Sequence, residues 1–231
     1  MSRIPVLRKR CVFHVGDPTA PPSRADSSYE GPGLSVSEHP EEWSQIARLG
    51  GYETHALRRL DGKPGVFVDM LRGRSRRRGQ TGLVLPGKRP SWRETLENYA
   101  VNEGLLVPAK RYVARWYDEE LDQTVDMLFT DLAEAQKEAD LDGDREGAVL
   151  ERAVLVATDE LRKLHWGHRF SGQLDDSLAA DIAVLYLLSL DEAYDGAWWN
   201  EDLAPEIYSA PRGVIFESKL AEWDIERGGE C

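Results

Sequence analysis

Hydrophobic and polar positions along this chain fall into short alternating or helically spaced blocks, which predict a mixture of strands and helices. Residues 11–15 set apolar side chains around one polar position, His14, and read as a short buried strand ending in a Gly16–Asp17 turn. Residues 17–33 are rich in Pro, Ser and Gly and predict a long loop of the kind used for binding. A second strand over 35–37 carries hydroxyls at alternate positions, Ser35 and Ser37. His39-Pro40-Glu41-Glu42 opens a helix with acid in its first turn, where the helix dipole favours it, and Gly50-Gly51 stops it. Residues 52–60 and 65–71 alternate as strands. Ser91 with Glu94 forms a capping box for a helix over 92–103 that buries Leu96, Tyr99 and Ala100.

Farther along, 112–117 and 124–129 predict a hairpin with its turn over 118–122, and Asp131 caps a helix running to about residue 139. An acidic stretch, 140–147, is a candidate boundary within what otherwise reads as one domain over 1–231. Residues 148–158 are apolar and β-branched and feed a helix over 159–166, whose start at Thr158 to Arg162 is capped. Residues 177–193 give the clearest helix, apolar on more than one side and so largely buried. Residues 194–199 read as a tight turn holding a double Trp, 205–211 as a loop and 213–216 as a last strand, with a fraying tail after Trp223. The expected fold is α+β: a mixed sheet with strands from both chain ends, and flanking helices.

Composition narrows the function. The chain has 231 residues, 41% of them hydrophobic, with seven Trp, enough to bury a core. A net charge of -12 argues against a broad nucleic-acid face. The run Arg72, Arg74, Arg76, Arg77 and Arg78 can meet phosphates, but it lacks interleaved aromatics and reads as a solvated loop. Cys11 and Cys231 give no metal spacing and no disulfide framework, which fits a reducing cytoplasm. The basic N-terminus is followed by no apolar run, so no signal peptide is expected. The longest apolar stretch, 179–190, contains Asp181 and is too short for a bilayer. Walker, zinc, nucleophile-elbow and dinucleotide patterns are missing from the sequence, and Asp140 to Asp144 lacks the glycine and terminal acid of a calcium loop.

Three constellations remain. A neutral His14 and a Ser35 hydroxyl on neighbouring strands can clamp ribose hydroxyls or a carboxamide; the alternative is a satisfied core histidine and a strand-edge serine. Glu192 and Asp195 stand near Trp198 and Trp199, where indoles raise a carboxyl pKa or stack on a planar ligand; the alternative is a helix end whose Trp side chains anchor the next loop. Arg212, before the last strand, can hold a phosphate or carboxylate, and Glu217 after it can position a ribose hydroxyl; both can equally be surface charges.

In this order the parts resemble the ADP-ribosyltransferase-like superfamily. Phe13-His14-Val15-Gly16 is similar to its first strand, and Gly33 to Ser37 to its glycine-opened second strand. Its acidic third element is ambiguous between Glu217 and the pair Glu192 and Asp195. The middle, from about residue 80 to 175, has no counterpart in that pattern and stands as an inserted or appended region. The resemblance implies NAD as substrate, clamped by His14, Gly16, Ser35, Ser37 and Arg212 with Trp198 against nicotinamide, and an acid stabilising the oxocarbenium-like transition state. It implies a protein, nucleic-acid or water acceptor, no membrane, and the toxin, phage or bacterial-defence roles common in that superfamily. The competing expectation is a non-enzymatic acidic protein, an inhibitor, antitoxin or anti-defence factor, that binds a basic or aromatic-lined partner.

Overall fold

A computed structural model describes residues 3–19, 33–46, 49–72, 91–118, 123–140, 147–164, 176–203 and 209–231. Most of the 17–33 loop, the arginine run beyond Arg72, the acidic 140–147 stretch and the 205–211 loop lie outside these residues.

The fold is mixed α+β. Its larger sheet has eight strands: β1 (Val6–Lys9), β2 (Val12–Val15), β3 (Gly33–Ser37), β4 (Thr54–Arg59), β5 (Gly65–Asp69), β9 (Gly196–Trp199), β10 (Arg212–Phe216) and β11 (Trp223–Arg227). Their order is β1-β5-β9-β10-β3-β2-β4-β11, antiparallel throughout except for β5 against β9. A smaller antiparallel sheet is built from β6 (Leu106–Asp118), β7 (Gln123–Phe129) and β8 (Ala148–Ala157), in the order β7-β6-β8. The helices are α1 (Pro40–Ile46), α2 (Trp92–Asn102), α3 (Leu132–Ala139), α4 (Asp159–Lys163) and α5 (Asp176–Ser189), with a 3-10 helix over Glu217–Glu222.

Chain connectivity forces the larger sheet to curl. Only Arg10 and Cys11 separate β1, at one edge, from β2, near the other. Three Cα steps reach at most about 10–11 Å, so β1 and β2 must meet at a corner. The β4–β5 turn ties the seventh strand in line to the second in the same way. As a result Phe67 of β5 meets Trp223 of β11 with ring centroids 6.0 Å apart. In a flat sheet six strand spacings would hold them about 29 Å apart.

The curled sheet has an inner face and an outer face. Val12, Leu34, Val36, Leu57, Phe67, Trp198, Ile215 and Trp223 form the inner core. The outer face of β5, β9 and β10 gives Val68, Ala197, Trp199, Val214 and Phe216 to a second core with α2, α5 and the smaller sheet. Helix α5 lies between the two sheets, which is why Ile182, Ala183, Val184 and Leu185 are all buried. Its buried Asp181 pairs with Arg93 of α2, which also bonds Glu97 at 2.9 Å. Burial pushes the Glu97 carboxyl above its ordinary pKa, against the pull of Arg93.

Several local expectations hold. The Ser91–Glu94 capping box, the Asp131 cap and a Thr158 cap open α2, α3 and α4. Others are corrected. The double Trp is no turn but strand β9, apolar at every position because both of its faces are covered. The tail after Trp223 is strand β11, whose Trp-Asp-Ile-Glu alternation was already visible. Tyr99 is exposed, and α2 buries Trp92 and Arg93 instead. Cys11 and Cys231 are joined in a disulfide with their Cα atoms 5.5 Å apart, because β2 and β11 both flank β4.

Gly213 pairs with Trp198 across β9 and β10, and a Cβ there would overlap the indole and lie 2.7 Å from the Ala197 carbonyl. Gly213→Ala should therefore destabilise the fold by about 2–3 kcal/mol, read from the urea unfolding midpoint. An unchanged midpoint would mean that Trp198 does not pack over this strand.

Candidate functional site

Strand β2 presents two faces. Phe13 stands opposite Ser37, so in the antiparallel ladder Val15 falls opposite Ser35 and His14 opposite Val36. Val36 and Val12 belong to the inner core, whereas Ser35 pairs with outer-face Val214 and Ser37 with Arg212. His14 and the Ser35 hydroxyl thus stand on opposite faces of the sheet, and the expected side-chain pair does not form. The contact runs instead from His14 Nδ1 to the Ser35 carbonyl, at 2.8 Å.

That contact sets the histidine's chemistry. A carbonyl only accepts, so Nδ1 carries the proton of that bond, and Nε2 is an acceptor when the ring is neutral. Burial lowers the His14 pKa, and the charge of His55, its partner on β4 with ring centroids 6.5 Å away, lowers it further. The Ser35 and Asp17 backbone bonds oppose the shift without reversing it. Gly16 follows with φ +124, and a Cβ on it would come within 3.4 Å of Nε2. Glycine suits that position both for its backbone and for the space it leaves.

The outer face gathers Ser37, Arg212, Glu201 and Trp43. Arg212 is buried, donates to Glu201 at 2.7 Å and lies 5.7 Å from the Trp43 ring of α1. Burial lowers its pKa to about 10, so it stays charged at neutral pH. The Ser37 hydroxyl donates to the Pro211 carbonyl at 2.7 Å and accepts from the His39 amide at 3.0 Å. Glu201 and Trp43 were not foreseen, because neither belongs to a motif and only the β9–β10 pairing brings Glu201 to Arg212.

The three acids divide. Asp195 is buried and fully engaged: Oδ1 takes Arg59 of β4, Oδ2 accepts from the Val66 amide at 2.6 Å, and its backbone bonds Val66 and Phe216. Glu192 is exposed in the turn after α5, and Glu217 is exposed at the head of the 3-10 helix that directly follows β10. Trp198 is wholly buried in the inner core, edge-on to Phe67 and under the Lys9 ammonium at 4.5 Å, so it offers no face for an incoming ligand. Among the described residues no group of His, Cys, Asp or Glu is placed to hold a metal ion, and no helix is long and apolar enough to cross a membrane.

Compared with protein-family models, curated proteins and solved structures, the chain matches none.

Two measurements separate the groups that hold the fold from those that do not. Asp195→Asn should cost about 3 kcal/mol in urea unfolding, since it breaks a buried, multiply bonded ion pair, while Glu192→Gln should stay within about 0.5 kcal/mol. Equal effects would deny Asp195 its structural role. For His14 the unfolded state binds the proton more tightly than the folded state. Its stabilising effect is full above the ordinary pKa of 6.5 and is lost as pH falls through the lowered folded value. The unfolding midpoint should drop as pH falls below 6.5, less steeply in His14→Asn. Glu97, with a raised pKa, acts in the opposite sense just above 4.5, and subtracting the variant's profile from the wild type's removes it.

Proposed function

We propose that the chain cleaves the nicotinamide–ribose bond of NAD, as an ADP-ribosyltransferase or NAD glycohydrolase with an ADP-ribosyltransferase-like core. The observation that carries this reading is the adjacency of β10, β3 and β2. These strands bear or lead into the three elements of the resemblance: Phe13 to Gly16, Gly33 to Ser37, and Glu217. In the reaction the C1′–N bond breaks and its electron pair leaves with nicotinamide. A nucleophile on a protein, a nucleic acid or water then adds to C1′ and gives up its proton to solvent. The neutral Nε2 of His14 accepts a hydrogen bond from a ribose hydroxyl, and Ser35 braces the ring through its carbonyl. Glu217, the exposed acid of the three that directly follows β10, hydrogen-bonds the ribose 2′-hydroxyl and stabilises the developing positive charge. A cytoplasmic toxin, phage or defence role is part of this proposal.

A second reading, a non-enzymatic acidic protein that binds a partner, is favoured by a different observation. Asp195, Trp198 and Arg212, three of the residues expected to meet NAD, are all engaged inside the fold.

Incubation with NAD, following nicotinamide by chromatography, tests the first reading. His14→Asn keeps a donor for the Ser35 carbonyl and removes the Nε2 acceptor. It should fold like the wild type and lose release by about 100-fold. Release unaffected by His14→Asn and by Glu217→Gln would reject the site. Absence of release from the wild type, with lysate supplying acceptors, would favour the binding protein.

A further inference from the structure

We propose that the Cys11–Cys231 disulfide is a redox-operated clasp that controls how firmly the C-terminal strand β11 is held to the sheet. The inference is independent of any activity toward NAD.

The last residues are shaped for this crossing. Gly228, at φ +64, donates to the Thr54 carbonyl at 2.9 Å and turns the chain back over β4. Gly229 passes so near Ala56 that a Cβ on it would lie 3.0 Å from the alanine methyl. Arg58 bonds the Glu230 carbonyl, and Cys231 then reaches Cys11 at the start of β2. Gly228 supplies the left-handed turn and Gly229 the close approach to Ala56, so the tail lies flat across the middle strand of β2-β4-β11. A larger side chain at Gly229 would hold it off.

Without the disulfide the hold on this segment is modest. Strand β11 is an edge strand that pairs with β4 alone. Its side-chain ties, Arg58–Glu226 and Arg227–Glu53, join solvent-exposed groups, and such pairs stabilise little. Trp223, at its first position, is the one anchor in the inner core. The disulfide closes a loop between positions 220 residues apart, so cutting it frees the unfolded chain as well as the native tail.

The bond is open to exchange because Cys231 is exposed while Cys11 is half-buried. A thiolate of a dithiol reductant attacks the Cys231 sulfur. The S–S electron pair leaves on the Cys11 sulfur, which takes up a proton. The second thiol of the reductant resolves the mixed disulfide and releases Cys231 as a thiol. The protein gains two electrons and two protons, and the dithiol is oxidised to its own disulfide.

The test uses the full chain purified without reductant, with dithiothreitol as the probe. Intact mass after alkylation should show no free thiol before reduction and two afterwards. At short labelling times, before global unfolding contributes, hydrogen–deuterium exchange should then rise about tenfold on reduction at Trp223–Arg227 and Thr54–Arg59, while α5 and β10 stay protected. Cys231→Ser, with Cys11→Ser as a second variant, should exchange like the reduced wild type and ignore dithiothreitol. Two alkylatable thiols in the unreduced protein would overturn the proposal. So would equal exchange at β11 in the oxidised and reduced wild type, a comparison that requires no variant to fold.

Discussion

The architecture depends on closing the curl of the larger sheet, and the Arg59–Asp195 pair sits where it closes. Asp195 immediately precedes β9, Arg59 ends β4, and the two strands stand far apart in the sheet order. The aspartate also bonds the backbone of β5 and β10, so a single side chain and its peptide unit join four strands at one end of the inner core. A carboxylate removed from water is tolerated only when charge and hydrogen bonds replace its hydration. Here they do, and the cost of burying it is offset by a fixed geometry. Glu222 and Asp61 hold the outer side of the same guanidinium, at 2.9 and 3.1 Å. The Asp61 contact and its bond to the Lys63 amide keep Asp61 well below the usual carboxylate range.

Once the curl is fixed, the alternation of side chains along each strand divides the chemistry. Even-numbered positions of β2 face the inner core and odd-numbered ones face outward. The polar groups that the sequence sets close together are therefore split between two environments. His14 sits at the rim of an apolar interior with one nitrogen committed to the backbone. Ser37 and Arg212 sit outside under α1 with Trp43 and Glu201. A ligand that engaged both sets would have to reach around the strands at their ends rather than lie across a face.

Much of the local structure was legible in the chain. The Ser91–Glu94 box, the Asp131 and Thr158 caps and the all-round apolar pattern of α5 follow from short-range rules that tertiary contacts reinforced. The misses share a cause, which is that they depend on pairing between distant segments. Gly196 to Trp199 reads as a turn until β5 and β10 are known to flank it. The face occupied by His14 relative to Ser35 is set by register, and a shift of one residue would reverse it. The disulfide was invisible for the same reason, since nothing near Cys11 or Cys231 in sequence announces that β4 lies between their strands.

Joining residue 231 to residue 11 also changes how the molecule carries load. A pull applied at the C-terminus is transmitted through the sulfur atoms to the corner between β1 and β2, and the segment between the two cysteines becomes a closed ring outside the force path. A machine that threads the chain from that side meets a branched strand at Cys231. It would have to draw two segments abreast through its pore before any of the core could be extended.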